Sequence, residues 1–345
     1  MTLERLLGTA LPVIQAPMAG AQGSAMAIAV SNAGGLGSLP CAMLTPDALA
    51  AEIRAIRAGT DKPFNLNFFC HVDPAPDPAR EAAWRALLAP YYLEFGLDPA
   101  ASAAAPARAP FSAAIADLVE AFRPPVVSFH FGLPAPELLA RVKGWGARVL
   151  SSATTVEEAL WLEAAGVDAV IAQGFEAGGH RGMFLDHDVA TQPGTFALVR
   201  QVVQAVRIPV IAAGGIADHH GVAAARALGA AGVQAGSAYL LCPEATTSAL
   251  HRAALGTPGA RRSCVTNLFS GRPARGIVNR LITEHGPLNL AAPAFPLASG
   301  ALAPLRAAAE AQGRGDFSPL WCGQHPPCFP GLDAAGVTRA LAGPA

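Results

Sequence analysis

Short apolar runs alternate with longer amphipathic stretches along most of the chain. Residues 11–15, 36–39, 64–68, 126–129, 148–151, 168–172, 208–212 and 233–235 each read as a buried strand. The clearest is 168–172, where four of five residues are apolar and nothing alternates. Between these runs the pattern predicts helices over 24–32, 45–58, 136–145, 155–165, 195–206 and 218–228. Their ends carry start and stop signals. Thr45-Pro46-Asp47 places a capping residue, a proline and an acid in one first turn; Thr155 and Glu158 form a capping box, and Gly166 and Gly229 stop two helices.

Eight strands in about 235 residues, each followed by a loop or helix, have the rhythm of an α/β fold of the (β/α)8 TIM-barrel type. A doubly wound open sheet fits less well, because glycine-rich turns follow nearly every strand and not only the first. Two segments interrupt the rhythm. Residues 90–110, rich in Ala and Pro with Tyr91-Tyr92, read as a long crossover or lid over the top face. Residues 241–298 read as a smaller appended segment on the substrate side, packed on the barrel mouth, with one helix over 244–255. The barrel itself is then residues 1–240 plus 299–345, closed by a terminal helix and a proline-rich tail.

Composition narrows the function. The net charge is −1 with no run of like charges, so nothing marks a nucleic acid or an anionic membrane surface as a partner. Apolar residues make up 52% of the chain but fall in short runs, too short to span a bilayer. The N-terminus lacks a long apolar stretch, and six scattered cysteines need no disulfide framework; a cytoplasmic protein with reduced thiols is expected. Cys322 and Cys328 flank His325 without zinc-site spacing, so no metal is expected.

The chemistry gathers at predicted strand ends. The sixth strand runs into Gln173-Gly-Phe-Glu-Ala-Gly-Gly-His-Arg-Gly182, a glycine-rich loop carrying His180, a side chain able to exchange protons near neutral pH. Gly214-Gly215 follows the seventh strand, and Gln234-Ala235-Gly236-Ser237 spans the end of the eighth. Those are the places where barrels commonly hold a phosphate on backbone N–H groups. A phosphorylated cofactor across the mouth, with its reactive ring toward His180, is the resulting expectation. A tight turn at Gly214-Gly215 and a structural His180 are the plainer readings. Asn65 and Asn67 share one side of the third strand, and Asn67 either touches the ligand or satisfies barrel backbone. His130 is expected to line the pocket. Arg272 and Arg275 belong either to a solvated loop or to an anion clamp.

Taken in order, Gln15-Ala-Pro-Met-Ala-Gly20, Asn32-Ala-Gly-Gly-Leu-Gly37, Phe64-Asn-Leu-Asn67, Ser128-Phe-His-Phe-Gly132, the 173–182 loop, Ala213-Gly-Gly-Ile216 and Phe269-Ser-Gly-Arg-Pro-Ala-Arg-Gly276 resemble the nitronate monooxygenases, in their bacterial class. The resemblance implies a barrel that binds FMN non-covalently and acts on a small-molecule nitronate with O2. It implies His180 as catalytic base. It implies FMN contacts from Pro17, Met18, Asn67, Gln173, Gly178, Gly179, Gly214, Gly215, Gln234, Ala235, Gly236 and Ser237, with His130 and Arg272 in the substrate pocket. The chain has only three tyrosines, at 91, 92 and 239, so a pocket lined by tyrosine in the family would be lined differently here. Two rivals share parts of the pattern. An FMN-dependent enoyl-thioester or quinone reductase shares the Ala-Gly-Gly-His loop. A non-redox barrel binding a phosphorylated sugar or nucleotide shares the phosphate turns.

Overall fold

The computed structural model describes residues 2–100 and 108–343. Eleven strands occur: β1 (Val13–Gln15), β2 (Gly37–Pro40), β3 (Phe64–Phe69), β4 (Val126–His130), β5 (Arg148–Ala153), β6 (Ala169–Gln173), β7 (Gly179–His180), β8 (Val210–Ala213), β9 (Gly232–Ala235), β10 (Ser263–Thr266) and β11 (Ala274–Ile277). Eight of them form one parallel sheet in the order β1-β9-β8-β6-β5-β4-β3-β2. A parallel bridge between Ile14 and Leu36 joins its two edges, so the sheet is a (β/α)8 barrel.

Alternation along each strand sorts the side chains. Val13, Leu66, Val127, Val149, Val170, Val210 and Val233 face the surrounding helices and make the main core. Ile14, Leu36, Val126, Leu150, Ile171 and Ile211 point inward and meet the N-terminal helix Leu3–Leu7, whose three leucines plug the bottom. Higher in the barrel the inward positions turn polar: Asn67, His130, Ser152, Gln173 and Gln234 line a cavity open at the C-terminal ends of the strands. A hydrophobic floor under a polar mouth is thus written as a gradient along each strand.

Several elements differ from the sequence expectations. Strand β1 starts at Val13, because Pro12 lacks a ladder N–H. The predicted helix over 244–255 begins only at Ala249, capped by Ser248. Helices Pro78–Glu94 and Ala113–Phe122 were not predicted. Pro90 reads as a breaker, yet it sits one turn from the helix end, where a single lost hydrogen bond is tolerated. The segment 90–110 therefore starts as helix, with Tyr91 and Tyr92 buried; its residues 101–107 lie outside the described residues.

Trp84, Leu88, Tyr91 and Tyr92 pack with Leu268, Leu281, Ile282, Leu302, Leu305 and Phe317 in a second core beside the mouth. The helix Ala298–Ala311 belongs to this second core, while Ala334–Ala342 returns to the barrel against the helices Ser24–Asn32 and His219–Ala227. A ribbon of β10, β11 and β7 links the second core to the loop after β6.

Candidate active site

The cavity at the strand ends measures about 330 Å³, within the range of small-ligand sites. Its walls include Pro17 and Met18 after β1, Asn67 on β3, His130 on β4, Gln173 on β6, the loop Gly178–His180, and Gly214, Gly215, Gln234, Gly236 and Ser237.

The 173–182 loop is held shut by its own side chains. The Gln173 amide donates to the His180 carbonyl at 2.9 Å and accepts from the Gly182 N–H at 2.7 Å. Arg181, wholly buried, donates to the carbonyls of Gln173 and Gly174 and to Gln192 Oε1, each at 2.7 Å. Arg275 reaches across from β11 to the Phe175 carbonyl at 2.9 Å. Burial lowers the Arg181 pKa to about 9, and Arg275 nearby adds to the fall. Two backbone carbonyls and the Gln192 side chain take up the donors of Arg181, so its role is to hold the loop.

His180 pairs with Ala274 in the β7–β11 ribbon and extends its ring into the cavity. Nε2 lies 2.8 Å from Ser270 Oγ. Phe69, Phe131, Phe295 and Trp321 surround the ring, with centroids 5.4–6.4 Å away. Burial pushes the His180 pKa well below its ordinary value, and the neighbouring Arg108, His130, Arg272 and His71 push it further. The imidazole is neutral at physiological pH and able to accept a proton. His130 is pinned by Ser152 Oγ (3.1 Å) and the His180 carbonyl (3.2 Å); burial lowers its pKa to about 3. Phe131 holds φ at +70°, a conformation strained for a bulky residue, and this turns its ring under Arg272 and beside His71.

Glycines also bring backbone to the cavity. A Cβ on Gly178 would stand 2.5 Å from the Gly323 N, so these two segments touch backbone to backbone. Gly214 and Gly215 hold φ of +115° and +70°. Ser237 Oγ accepts from the Gly323 N–H at 2.8 Å and opens the 3₁₀ turn Ser237–Tyr239. Among the described residues the N–H groups of Gly215 and Ser237 have no protein acceptor. Gln234 Oε1 is also buried without a partner. This wall offers donors suited to a phosphate and an amide suited to a planar heterocycle.

The model for nitronate monooxygenase matches residues 1–327. The chain belongs to the nitronate monooxygenase family. It is 44% identical to nitronate monooxygenase of Pseudomonas aeruginosa, over 98% of this chain and 97% of that one. It is also 44% identical to the Paraburkholderia phytofirmans enzyme of the same name, over 97% and 92%. Among solved structures, a nitroalkane oxidase from Streptomyces ansochromogenes superposes with a TM-score of 0.88 at 38% identity, covering 99% of this chain and 96% of that one. FabK from Thermotoga maritima superposes less well, with a TM-score of 0.66 at 27% identity, covering 98% and 90%. Nitronate monooxygenases are flavin-dependent oxidoreductases, and the glycine wall, the orphaned Gln234 amide and the cavity between them fit a flavin nucleotide.

Most residues singled out in the sequence as nitronate monooxygenase positions meet at this cavity, and three do not. Ala235 packs into the helix layer, because it is one residue out of phase with Gln234. Arg272 lies behind the wall, donating to the Met183 carbonyl over the Phe131 ring. Arg275 is neither solvated nor an anion clamp; it is buried and bound to the Phe175 carbonyl and Ser263. Sequence reasoning assigned no role to Ser270, Phe295, Trp321, Arg108 or His251. Only Ser270 lay inside a quoted motif; the others reach the site from segments with no local signal.

Proposed function

We propose that this protein is an FMN-dependent nitronate monooxygenase that oxidises alkyl nitronates, propionate 3-nitronate among them, with O2 to a carbonyl compound and nitrite. The observation that carries the reading is His180, its pKa lowered so that it is neutral, in a cavity also lined by glycine backbone. Gly178, Gly179, Gly214, Gly215 and Ser237 would hold the phosphate end of FMN, with Pro17, Met18, Asn67, Gln173 and Gln234 along the ring. FMN, when bound, supplies the electron transfer between nitronate and O2.

The chain's own residues bind, shield and move a proton. Ser270 occupies Nε2 of His180, which leaves Nδ1 to take the α-proton of a neutral nitroalkane or to orient a nitronate already formed. Phe69, Phe131, Phe295 and Trp321 exclude water around that ring and keep it uncharged.

An anaerobic absorbance titration tests the reading. The purified protein should be yellow, release FMN on denaturation, and have its flavin reduced by propionate 3-nitronate. Reduction by NADH and not by the nitronate would move the protein to the reductase class that FabK represents. A colourless protein that takes up no FMN would remove both.

A further inference from the structure

We infer that Arg108 is the specificity-determining residue of this cavity, reading an acid group at the end of the substrate remote from the nitronate. The inference rests on the monooxygenase reading above and deepens it.

Arg108 enters the mouth from the segment before the helix Ala113–Phe122, anchored three residues on where the Phe111 N–H donates to the Phe69 carbonyl at the end of β3. Phe111 itself is wedged against Phe68 and Phe129, with centroids 4.9 and 5.3 Å away. The guanidinium carbon lies 5.5 Å from the Phe295 centroid, and Phe295 lies 5.4 Å from the His180 ring. One aromatic ring is therefore neighbour to both the proton-accepting imidazole and a cation. That spacing suits a substrate whose reacting carbon and second functional group are a few bonds apart.

Among the described residues the cation has no anionic partner. Among the described residues Arg108 Nη1 is buried without a hydrogen-bond acceptor, and the one charged group that acts on Arg108 is another cation, Arg306. The adjoining residues 101–107 contain no acid. The other arginine on the cavity wall, Arg306, is already held by Glu310 at 2.7 Å. A half-buried guanidinium that lines a ligand cavity with a buried, unpartnered Nη1 is completed by an anion. The nitronate group is placed at His180, so the anion for Arg108 is a second one: a carboxylate or comparable oxyanion on the same molecule. A neutral alkyl tail would leave the guanidinium unpaired.

The test compares wild-type holoenzyme with Arg108→Gln and Arg108→Lys on two nitronates of similar length, propionate 3-nitronate and butane-1-nitronate, which ends in a methyl. The readout is the ratio of their kcat/KM values. Arg108→Gln should lower the ratio roughly 10- to 100-fold, mainly through KM for the acid substrate, and Arg108→Lys should recover part of it. A second readout needs no turnover: glutarate should perturb the bound flavin's absorbance in wild type, with a Kd about tenfold or more higher in Arg108→Gln. An unchanged ratio, equal losses on both nitronates, or no glutarate binding to wild type overturns the role of Arg108. A wild-type holoenzyme that oxidises neither nitronate overturns the monooxygenase reading itself, and the assignment falls with it.

Discussion

The Nε2 of His180 and the hydroxyl of Ser270 face each other at 2.8 Å, ninety residues apart in sequence. The ribbon of β7 and β11 makes the contact, since it pairs His180 with Ala274 and so brings the turn before β11 over the imidazole. The pair sets which imidazole nitrogen is free and which way the ring faces.

His180→Asn should separate the two kinds of substrate. Neutral nitroalkanes need a base, and their turnover should fall about 10²- to 10⁴-fold. Preformed nitronates have already lost the proton and should suffer much less. Steady-state oxygen consumption on nitroethane and ethylnitronate checks this; equal losses on both would argue against His180 as the base.

Ser270→Ala should slow nitroalkane turnover roughly tenfold while the flavin stays bound, because the hydroxyl orients the ring. Its effect should appear in the pH profile of kcat/KM, whose acidic limb moves when the hydrogen bond to Nε2 is lost.

Acid should destabilise the protein below the ordinary histidine range. Burial lowers the pKa of His130 to about 3 and of His251 to about 4, and lowers that of His180 as well. Between pH 6.5 and about 4 the unfolded chain binds protons at these rings that the folded chain refuses, so stability is full above pH 6.5 and falls as pH drops. Each ring contributes a slope of up to about 1.4 kcal/mol per pH unit. Urea midpoints measured from pH 7.5 to 5 should fall steadily, and the His251→Phe variant should show a shallower fall.

Gly178→Ala should weaken flavin retention at least about tenfold, since its Cβ would meet the Gly323 backbone at 2.5 Å and force the two segments apart beside Ser237. Gly144→Ala, where a Cβ meets nothing within 4 Å, is the control. Flavin fluorescence after ultrafiltration reads both.

Arg181→Met should cost at least about 3 kcal/mol in chemical denaturation, because it leaves two loop carbonyls and Gln192 without their donor. An effect below about 1 kcal/mol would mean that water replaces the guanidinium.

The chain's own pattern was enough for the barrel and for the residues that sit at its strand ends. Strand period, helix caps and glycine turns are local, and a barrel strand carries its inward side chains wherever its neighbours are. So the sequence alone places His180, Asn67, Gln173, Gly214, Gly215 and Gln234 at one mouth. Phase within a strand was the local detail that misplaced Ala235.

Tertiary structure decided everything that crosses elements. The helix Pro78–Glu94 was not read from the sequence, and its buried face packs against the helix Ala298–Ala311. Arg272 and Arg275 share one motif and look equally exposed in sequence, yet packing turned both into supports for the loops around His180. Arg108, Phe295 and Trp321 come from three distant segments, and their meeting at His180 rests on long-range packing that no residue's neighbours in sequence encode.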